Sequence, residues 1–206
     1  MTTELLVSAI ILSGGRGSRM SFSDKGLQSL NNKPLIQYVI DSLQPQVNEI
    51  IISHNRNTED YLQFGFPVVT DAVSDGKTVF LGPLSGILSA RKKITHPLCF
   101  IAPCDVPNIS IDLVTNMTKA LKMHDAVCVS LDGKMQPLPL LVKTQHIDSI
   151  EEYLSNGSRS VKAWLKGLDL HILELSGETL DNINDFEHLK RIEANDFQAP
   201  TKKPSN

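Results

Sequence analysis

Short apolar runs alternate with amphipathic stretches along most of the chain, and this alternation constrains the fold more than any other feature. The first two runs occupy residues 5–12 and 49–53, and between them Pro34 opens a stretch whose apolar residues recur every three or four positions up to Leu43. That spacing marks one buried helix face, and proline suits a helix's first turn. Apolar strands joined by helices form βαβ units. The sequence therefore predicts a three-layer, Rossmann-like α/β fold with a mostly parallel central sheet.

The later part of the chain repeats this pattern. Asn156 and Gly157 supply a signal that ends one helix, and Asn184 has the spacing of a capping-box residue at the start of another. Ligands of such sheets bind at the carboxyl ends of the strands. We predict further strands at 67–70, 98–102, 126–130, 138–142 and 171–175, and helices at 86–93, 111–123, 147–154, 161–165 and 184–194.

Composition limits the chain to one ordinary domain. With 206 residues, 41% of them hydrophobic, the chain can build one sizeable core, which we place at residues 1–195. The polar tail at 196–206, with two prolines and two lysines, is predicted to be disordered.

Charge and cysteine content restrict the partners and the compartment. A net charge of -3 gives no general attraction to nucleic acid or to an anionic membrane, so neither is an expected partner. The three cysteines form no CxxC pair, the histidines show no metal-ligand spacing, and the first apolar run is too short to span a bilayer. We therefore expect a cytoplasmic protein that holds any anionic substrate in a local pocket, with no zinc site.

A glycine-rich segment follows the first predicted strand directly. It reads Ser13-Gly14-Gly15-Arg16-Gly17-Ser18-Arg19-Met20 and is followed by Asp24-Lys25-Gly26. Glycines let backbone N–H groups turn inward as an anion-binding nest, and the basic side chains add positive charge. The segment is neither a Walker A sequence nor a dinucleotide fingerprint, since Met20 replaces the third glycine. It predicts a phosphate site, with a tight turn flanked by solvated basic residues as the alternative.

This segment resembles the LxGGxGxRM…DKxL signature of the nucleotidyltransferase superfamily, beginning at Leu12 and ending at Leu27. Further matches occur in the family's order, at Thr70-Asp71, Gly82-Pro83-Leu84-Ser85-Gly86, Ala102-Pro103-Cys104-Asp105-Val106-Pro107 and Asn182-Ile183-Asn184. From about residue 7 to residue 194 the chain resembles the molybdenum cofactor guanylyltransferases of the MobA type.

The resemblance implies a nucleotidyltransferase fold and one reaction. GMP would pass from GTP to the phosphate of molybdenum-molybdopterin, giving molybdopterin guanine dinucleotide and pyrophosphate. The partners it implies are these two substrates, together with other molybdenum-cofactor biosynthesis proteins or apo-molybdoenzymes.

Asp105 and Lys25 are the main candidate catalytic residues. Asp105 follows a buried run, where a carboxylate costs roughly several kcal/mol unless it is paired or bound to metal. The resemblance implies that Asp105 binds Mg²⁺ and that Lys25 stabilises charge on the phosphates, with Arg19 in a similar role. The alternatives are that Asp105 caps the turn before Pro107 and that Lys25 is solvated.

The remaining candidate residues bind the nucleotide and the pterin by resemblance. Asp71 could accept hydrogen bonds from guanine N1–H and its amino group, although a turn residue is equally compatible with its position. Ser53 stands where the family has Asn, and Asn55 is a possible substitute. Arg159 and Asn182 match regions that meet the pterin, and Asn184 does so besides its capping role. The full binding set is Leu12, Ser13, Gly14, Gly15, Lys25, Ser53, Asn55, Asp71, Asp105, Arg159, Asn182 and Asn184.

Several alternatives remain open. A transferase using CTP on the same cofactor, or one acting on a sugar phosphate, would share this signature. A GTP-binding sensor or a cofactor-delivery protein would keep the nucleotide site without turnover. Cys104 is expected to be a small buried residue and not a nucleophile, because no base lies beside it in sequence. The segment at 74–81, a few residues longer than the family pattern, is interpreted as a lid.

Overall fold

A computed structural model describes residues 6–13, 24–70, 73–74, 77–78, 82–175 and 180, and the structural statements below concern these residues. The strands are β1 (Val7–Leu12), β2 (Ser29–Leu30), β3 (Lys33–Pro34), β4 (Glu49–His54), β5 (Val68–Thr70), β6 (Val73–Ser74), β7 (Lys77–Thr78), β8 (Leu98–Pro103), β9 (Ala126–Leu131), β10 (Lys134–Lys143) and β11 (Leu170–Leu175). The α-helices are α1 (Leu35–Leu43), α2 (Thr58–Leu62), α3 (Pro83–Ala90), α4 (Leu113–Leu121), α5 (Ile150–Ser155) and α6 (Val161–Leu165). Short 3-10 turns occur at Lys25–Leu27, Arg91–Lys93 and Thr144–Ser149.

Seven strands form the central sheet, in the order β11-β9-β10-β8-β1-β4-β5. β10 runs antiparallel to both of its neighbours, and the other neighbouring pairs in this order are parallel. The chain leaves β1 for β4 and β5 on one side and returns to β8 on the other side. The mostly parallel sheet is confirmed, and β1 and β8 flank the point where the strand order reverses.

Helices cover both faces of the sheet, which confirms the three layers. On one face α1 and α4 pack against the strands, and α1 buries Ile36, Val39, Ile40 and Leu43 at helical spacing. Full burial of such a side chain contributes about 1.5–3 kcal/mol. On the other face α3, α5 and α6 bury a second cluster around Trp164, whose indole N–H donates to Ser149 Oγ at 2.9 Å.

Two helices begin at positions different from the predicted ones. Pro34 is not in the first turn of α1 but precedes the helix, with extended backbone, because it pairs with Ser29 in the β2–β3 hairpin. α3 begins at Pro83, three residues before the predicted start, since proline suits the first turn and Gly82, at φ 79°, turns the chain into it. Its last predicted turn tightens into the 3-10 turn Arg91–Lys93.

The later helices agree with the sequence in different degrees. The predicted helix at 111–123 is shorter at both ends, as α4 occupies Leu113–Leu121. The predicted helix at 147–154 begins as a 3-10 turn and becomes α5 from Ile150. The C-cap at Gly157 is confirmed by its φ of 79°, and α6 has the predicted bounds.

Three small elements were not predicted. The β2–β3 hairpin turns through Asn31 and Asn32, both at positive φ, and α2 follows Asn57, which is also in the left-handed region. β6 and β7 pair antiparallel within the segment interpreted as a lid. β10 starts four residues before the predicted position, because Asp132 and Gly133 form a tight turn after β9 and an irregularity between 136 and 140 hides the strand pattern.

Some predictions lie outside the described residues. These are the helix at 184–194, the tail at 196–206 and the full extent of the lid at 74–81. The boundary of the single domain at residue 195 stays a prediction for the same reason. None of the helices in the described ranges has the length and apolarity needed to cross a bilayer.

Candidate active site

The carboxyl ends of β1, β4 and β8 lie side by side. Leu12, the last residue of β1, is in register with Ser53 on β4 and with Pro103 on β8. The backbone pairing continues past the strands, because Ser13 N–H donates to the Ser53 carbonyl at 2.7 Å and Cys104 N–H donates to the Leu12 carbonyl at 3.1 Å. The residues that follow these strands therefore share one edge of the sheet, at the point where the strand order reverses.

Lys25 and Asp105 meet at this edge. Lys25 Nζ lies 2.9 Å from Asp105 Oδ2, although the two residues are 80 positions apart in sequence. Their side chains are 27% and 15% exposed, so the pair is partly shielded and still reachable from solvent. The structure thus brings together the two side chains that the family resemblance assigns to one triphosphate.

Asp24, the residue before Lys25, is held by groups from the segment after β4. Tyr61 hydroxyl donates to Oδ1 at 2.5 Å, and Asn57 Nδ2 donates to Oδ2 at 3.2 Å. Arg56 Nε lies 3.8 Å from Oδ2, and the Asp24 side chain is only 4% exposed. Burial raises the pKa of Asp24, and the hydrogen bonds and the Arg56 charge offset part of that rise. In the sequence, Asp24 is recognisable only as part of the DKxL motif.

His54 packs against the Tyr61 side of this cluster. Its ring stacks on Tyr61 with centroids 5.2 Å apart, and Nδ1 lies 3.2 Å from the Arg56 carbonyl. Burial lowers the pKa of His54 and raises that of the Tyr61 hydroxyl. Both groups are therefore uncharged near neutral pH, and the cluster presents dipoles and one cation to Asp24.

Gly26 allows the Lys25 turn to lie against the end of β1. A Cβ at this position would come within 2.7 Å of the Tyr61 hydroxyl and 3.2 Å of Ser13 Oγ. A larger residue would push the turn away from the sheet. The residues on either side of segment 14–23 are thereby fixed next to Cys104 and Asp105. Gly14, Gly15 and Arg19 lie outside the described residues.

Asp105 fits a magnesium ion that is completed by phosphates. No group of three or more His, Cys, Asp or Glu within the described ranges could enclose a metal ion. Mg²⁺ is commonly held by one or two carboxylates together with substrate phosphates, and it prefers hard oxygen ligands. The partly exposed carboxylate of Asp105, at the carboxyl ends of the strands, meets that requirement.

Cys104 is a packing residue. It is 5% exposed, and burial raises the pKa of its thiol well above the usual value, so the thiolate is disfavoured. This agrees with the prediction of a small buried side chain.

The other predicted site residues are distributed around the same edge or lie outside the described residues. Ser53 is buried and Asn55, just after β4, is half-buried. Arg159 donates from Nη1 to the Leu154 and Ser158 carbonyls, both at 3.0 Å, and so caps α5. A Cβ on Gly82 would lie 3.4 Å from the Arg159 carbonyl, which puts Arg159 beside the start of α3. Outside the described residues are Asp71, Asn182 and Asn184.

Comparison with known proteins identifies the family. A family model described as a MobA-like NTP transferase domain matches residues 9–172. A molybdenum cofactor guanylyltransferase from Shewanella baltica is 42% identical over 190 residues, which cover 90% of this chain and 95% of that protein. The chain belongs to the MobA-like NTP transferase family. It is therefore a nucleotidyltransferase by family, as the glycine-rich signature predicted.

A second relative agrees with this family, and a solved structure agrees with the fold. A molybdenum cofactor guanylyltransferase from Cupriavidus taiwanensis is 37% identical over 196 residues, covering 91% of this chain and 96% of that protein. The crystal structure of molybdopterin-guanine dinucleotide biosynthesis protein A from Archaeoglobus fulgidus has the same fold, with a TM-score of 0.70 at 20% identity, covering 91% of this chain and 97% of that chain. The predicted nucleotidyltransferase fold is confirmed.

Proposed function

We propose that this protein transfers GMP from GTP to the phosphate of molybdenum-molybdopterin, forming molybdopterin guanine dinucleotide and pyrophosphate. The observation that carries the proposal is the Lys25–Asp105 contact at the carboxyl edge, where the glycine-rich segment begins and ends. The relatives that match nearly the whole chain are guanylyltransferases of this cofactor.

The chemistry needs charge stabilisation and positioning more than proton transfer. A phosphate oxygen of molybdopterin attacks the α-phosphorus of GTP, and the bond from that phosphorus to the β-bridging oxygen breaks as pyrophosphate leaves. The attacking oxygen is already anionic, so a general base is dispensable and no covalent intermediate with the protein forms. Lys25 stabilises the negative charge on the departing pyrophosphate, and Arg19 is placed in a similar role.

Asp105 holds Mg²⁺ in this proposal. When bound there, the ion would neutralise triphosphate charge and orient the α-phosphate. The contact with Lys25 gives Asp105 a counter-charge before substrates arrive. GTP offers Lys25 new anionic partners and so frees the carboxylate for its role.

Selectivity for guanine is assigned to Asp71 and to the backbone of residues 12–14. A carboxylate that accepts from N1–H and the exocyclic amino group recognises an edge that adenine does not present. Asp71→Asn is expected to raise KM for GTP about tenfold or more, because one good charge-assisted hydrogen bond is lost. The same KM for GTP in the variant and the wild type would remove Asp71 from the base site. Ser53 or Asn55 takes the nucleoside contact of the family Asn.

The pterin side is assigned to Arg159, Asn182 and Asn184. The backbone of Arg159 lies beside the start of α3, and its guanidinium would leave the Leu154 and Ser158 carbonyls to bind a phosphate there. We place the protein in the cytoplasm, since its three cysteines are free and buried. The product would then pass to other cofactor biosynthesis proteins or to apo-molybdoenzymes.

A pyrophosphate-release assay tests the function. GTP, CTP and other nucleoside triphosphates are each offered with magnesium and either molybdenum-molybdopterin or a sugar phosphate. Release with GTP and the pterin supports the proposal, and preference for CTP or for the sugar phosphate replaces it with a related transferase. GTP binding without turnover on any acceptor would indicate a sensor or a delivery protein.

A further inference from the structure

The cluster around Asp24 has no role in the chemistry described so far. Its carboxylate is almost fully buried, and both oxygens accept hydrogen bonds from the segment after β4. An ionised carboxylate in such a place costs roughly several kcal/mol, which the arrangement offsets with Tyr61, Asn57 and the Arg56 charge. A surface residue with a merely local role would not need three partners from another part of the fold.

The position of Asp24 in the chain links this cluster to Lys25. Asp24 directly precedes the 3-10 turn Lys25–Leu27, and its carbonyl accepts the Leu27 N–H at 3.2 Å. Fixing the Asp24 side chain therefore fixes the residue that directly precedes Lys25 and begins the turn's hydrogen bonding. At the other end, the Gln28 carbonyl accepts the N–H of Leu35, the first residue of α1. The backbone of Lys25 is thus held between the Asp24 cluster and α1.

A lysine that must deliver its charge to one place benefits from such a fixed base. Its four-carbon stem carries about 2 kcal/mol of rotamer entropy. An unanchored backbone would add to this freedom and let the ammonium sample still more positions. A displacement of about 1 Å in a catalytic group can lower the rate by about a hundredfold. The clamped turn instead presents Lys25 Nζ to Asp105 at 2.9 Å.

We propose that Asp24 is a positioning residue of the transfer reaction, which acts through Lys25. Clamped by Tyr61, Asn57 and Arg56, it holds the Lys25 turn at the ends of β1 and β8 so that the ammonium meets the substrate phosphates. Asp24 itself touches no substrate, because its side chain is only 4% exposed and both oxygens accept hydrogen bonds from Asn57 and Tyr61. The inference rests on the proposed function for the identity of those phosphates.

A double-mutant cycle separates positioning from general structural support. Asp24→Asn, Lys25→Gln and the double variant are compared by kcat/KM for GTP and by the Kd for magnesium-GTP. We expect Asp24→Asn to lower kcat/KM about tenfold or more when Lys25 is present, and less than about twofold in the Lys25→Gln background. The Kd should show the same dependence on Lys25.

Loss by the same factor in both backgrounds, or no loss when Lys25 is present, would overturn the inference. Tyr61→Phe is the second variant, since it keeps the ring and removes only the hydroxyl that binds Asp24. It should give a smaller loss with the same dependence on Lys25, and it decides the question if Asp24→Asn does not fold. Asp41→Asn, which removes the partner of Lys33 in an exposed pair, is the matched control and should leave both constants unchanged.

The result is distinguishable from failure of the proposed function. The wild-type protein is assayed first for transfer from GTP to molybdopterin, and absence of transfer defeats that function alone. The cycle on the Kd for magnesium-GTP needs no acceptor and tests the inference in either case.

Discussion

The two edges of the central sheet hold their carboxylates in different ways. At the carboxyl edge, Asp105 is paired with the end of a long, flexible lysine. At the amino edge, Glu49 accepts from Ser8 hydroxyl and from both the N–H and the hydroxyl of Thr95, at 2.7 and 2.9 Å for Thr95. A lysine can move to another anion, whereas a backbone N–H and short hydroxyl groups cannot. The comparison teaches that a carboxylate at a strand end is not enough to indicate a binding site. A partner that can leave the carboxylate for another anion distinguishes a binding site from a purely structural contact.

Asp125, also at the amino edge, combines a fixed backbone partner with two charged side chains. It accepts the Asp169 N–H at 3.1 Å and lies near His146 and Lys143, at 3.1 and 3.6 Å. The Asp169 N–H, followed by the charges of His146 and Lys143, holds the pKa of Asp125 below its usual range. Burial instead raises the pKa of Asp24 at the carboxyl edge. Ionisation of Asp125 at the amino edge thus favours the folded state, whereas ionisation of Asp24 at the carboxyl edge opposes it.

Replacing one aspartate at each edge should break the comparison most visibly. Asp105→Ala is expected to lower kcat about a thousandfold, since it removes the only proposed metal ligand, while the Tm stays within a few degrees. Asp125→Ala, its matched control, should keep full activity and lower the Tm. Steady-state kinetics and thermal unfolding check both. Near-full turnover of Asp105→Ala with magnesium would refute its metal role.

The lysines of the two edges give the next largest effect. Lys25→Gln should lower kcat/KM for GTP about a hundredfold through lost phosphate stabilisation, with less than about 1 kcal/mol lost from stability because the pair is partly exposed. Lys143→Gln should leave kcat/KM unchanged. Kinetics and urea unfolding of both variants provide the measurement. Equal kinetic losses for the two lysines would contradict the distinction between the edges.

Glu49→Gln tests the structural contact of Glu49 with Ser8 and Thr95. We expect the free energy of unfolding to fall by about 1 kcal/mol at neutral pH, with activity within twofold of wild type, because charged acceptors strengthen the bonds from Ser8 and Thr95. Burial raises the pKa of Glu49, but these hydrogen bonds outweigh it and lower the pKa below 4.5. The contribution is therefore present above pH 4.5 and is lost as pH falls through the folded-state pKa. Urea unfolding of the variant and the wild type at a series of pH values is the measurement. A difference in their free energies of unfolding that grew as pH fell would contradict the prediction.

Asp24→Asn should show the opposite pH trend. The folded-state pKa of Asp24 lies above 3.8, so the native state binds a proton more readily than the unfolded state. Wild-type stability therefore falls as pH rises from 3.8 through the folded-state pKa. The variant lacks this carboxyl group, so its stability relative to wild type should increase as pH rises through the same range. Among the described residues, the groups that act on Asp24 include Tyr61, Asn57, Arg56 and the backbone of Gly26; His54 and Cys104 also lie within electrostatic reach. Urea unfolding of both proteins at a series of pH values is the measurement, and a decrease would contradict the assignment.

The sequence predicts the parts of the fold that depend on local pattern. β1, β4, β8 and β9 are continuous apolar runs, and α1 has a clear helical period, so each was located within two residues. The Lys25–Asp105 contact can also be predicted from the sequence, because both residues follow buried parallel strands and such strands end at one edge of the sheet.

The rest depends on tertiary contacts that no local pattern reveals. α2 has five residues and buries only Tyr61, which is too little for a period. The role of Asp24 needs that helix in place, since Asn57 and Tyr61 are more than 30 residues away. The antiparallel direction of β10 follows from the Asp132-Gly133 turn, a short signal beside a proline-rich stretch.

A crystal structure with GTP and magnesium tests the central claim most directly. The account predicts that the triphosphate lies between residues 14–17 and Asp105, that the metal contacts Asp105, and that Lys25 Nζ lies about 3 Å from a phosphate oxygen instead of Asp105. GTP bound at another face of the sheet, with Lys25 still paired to Asp105, would contradict it.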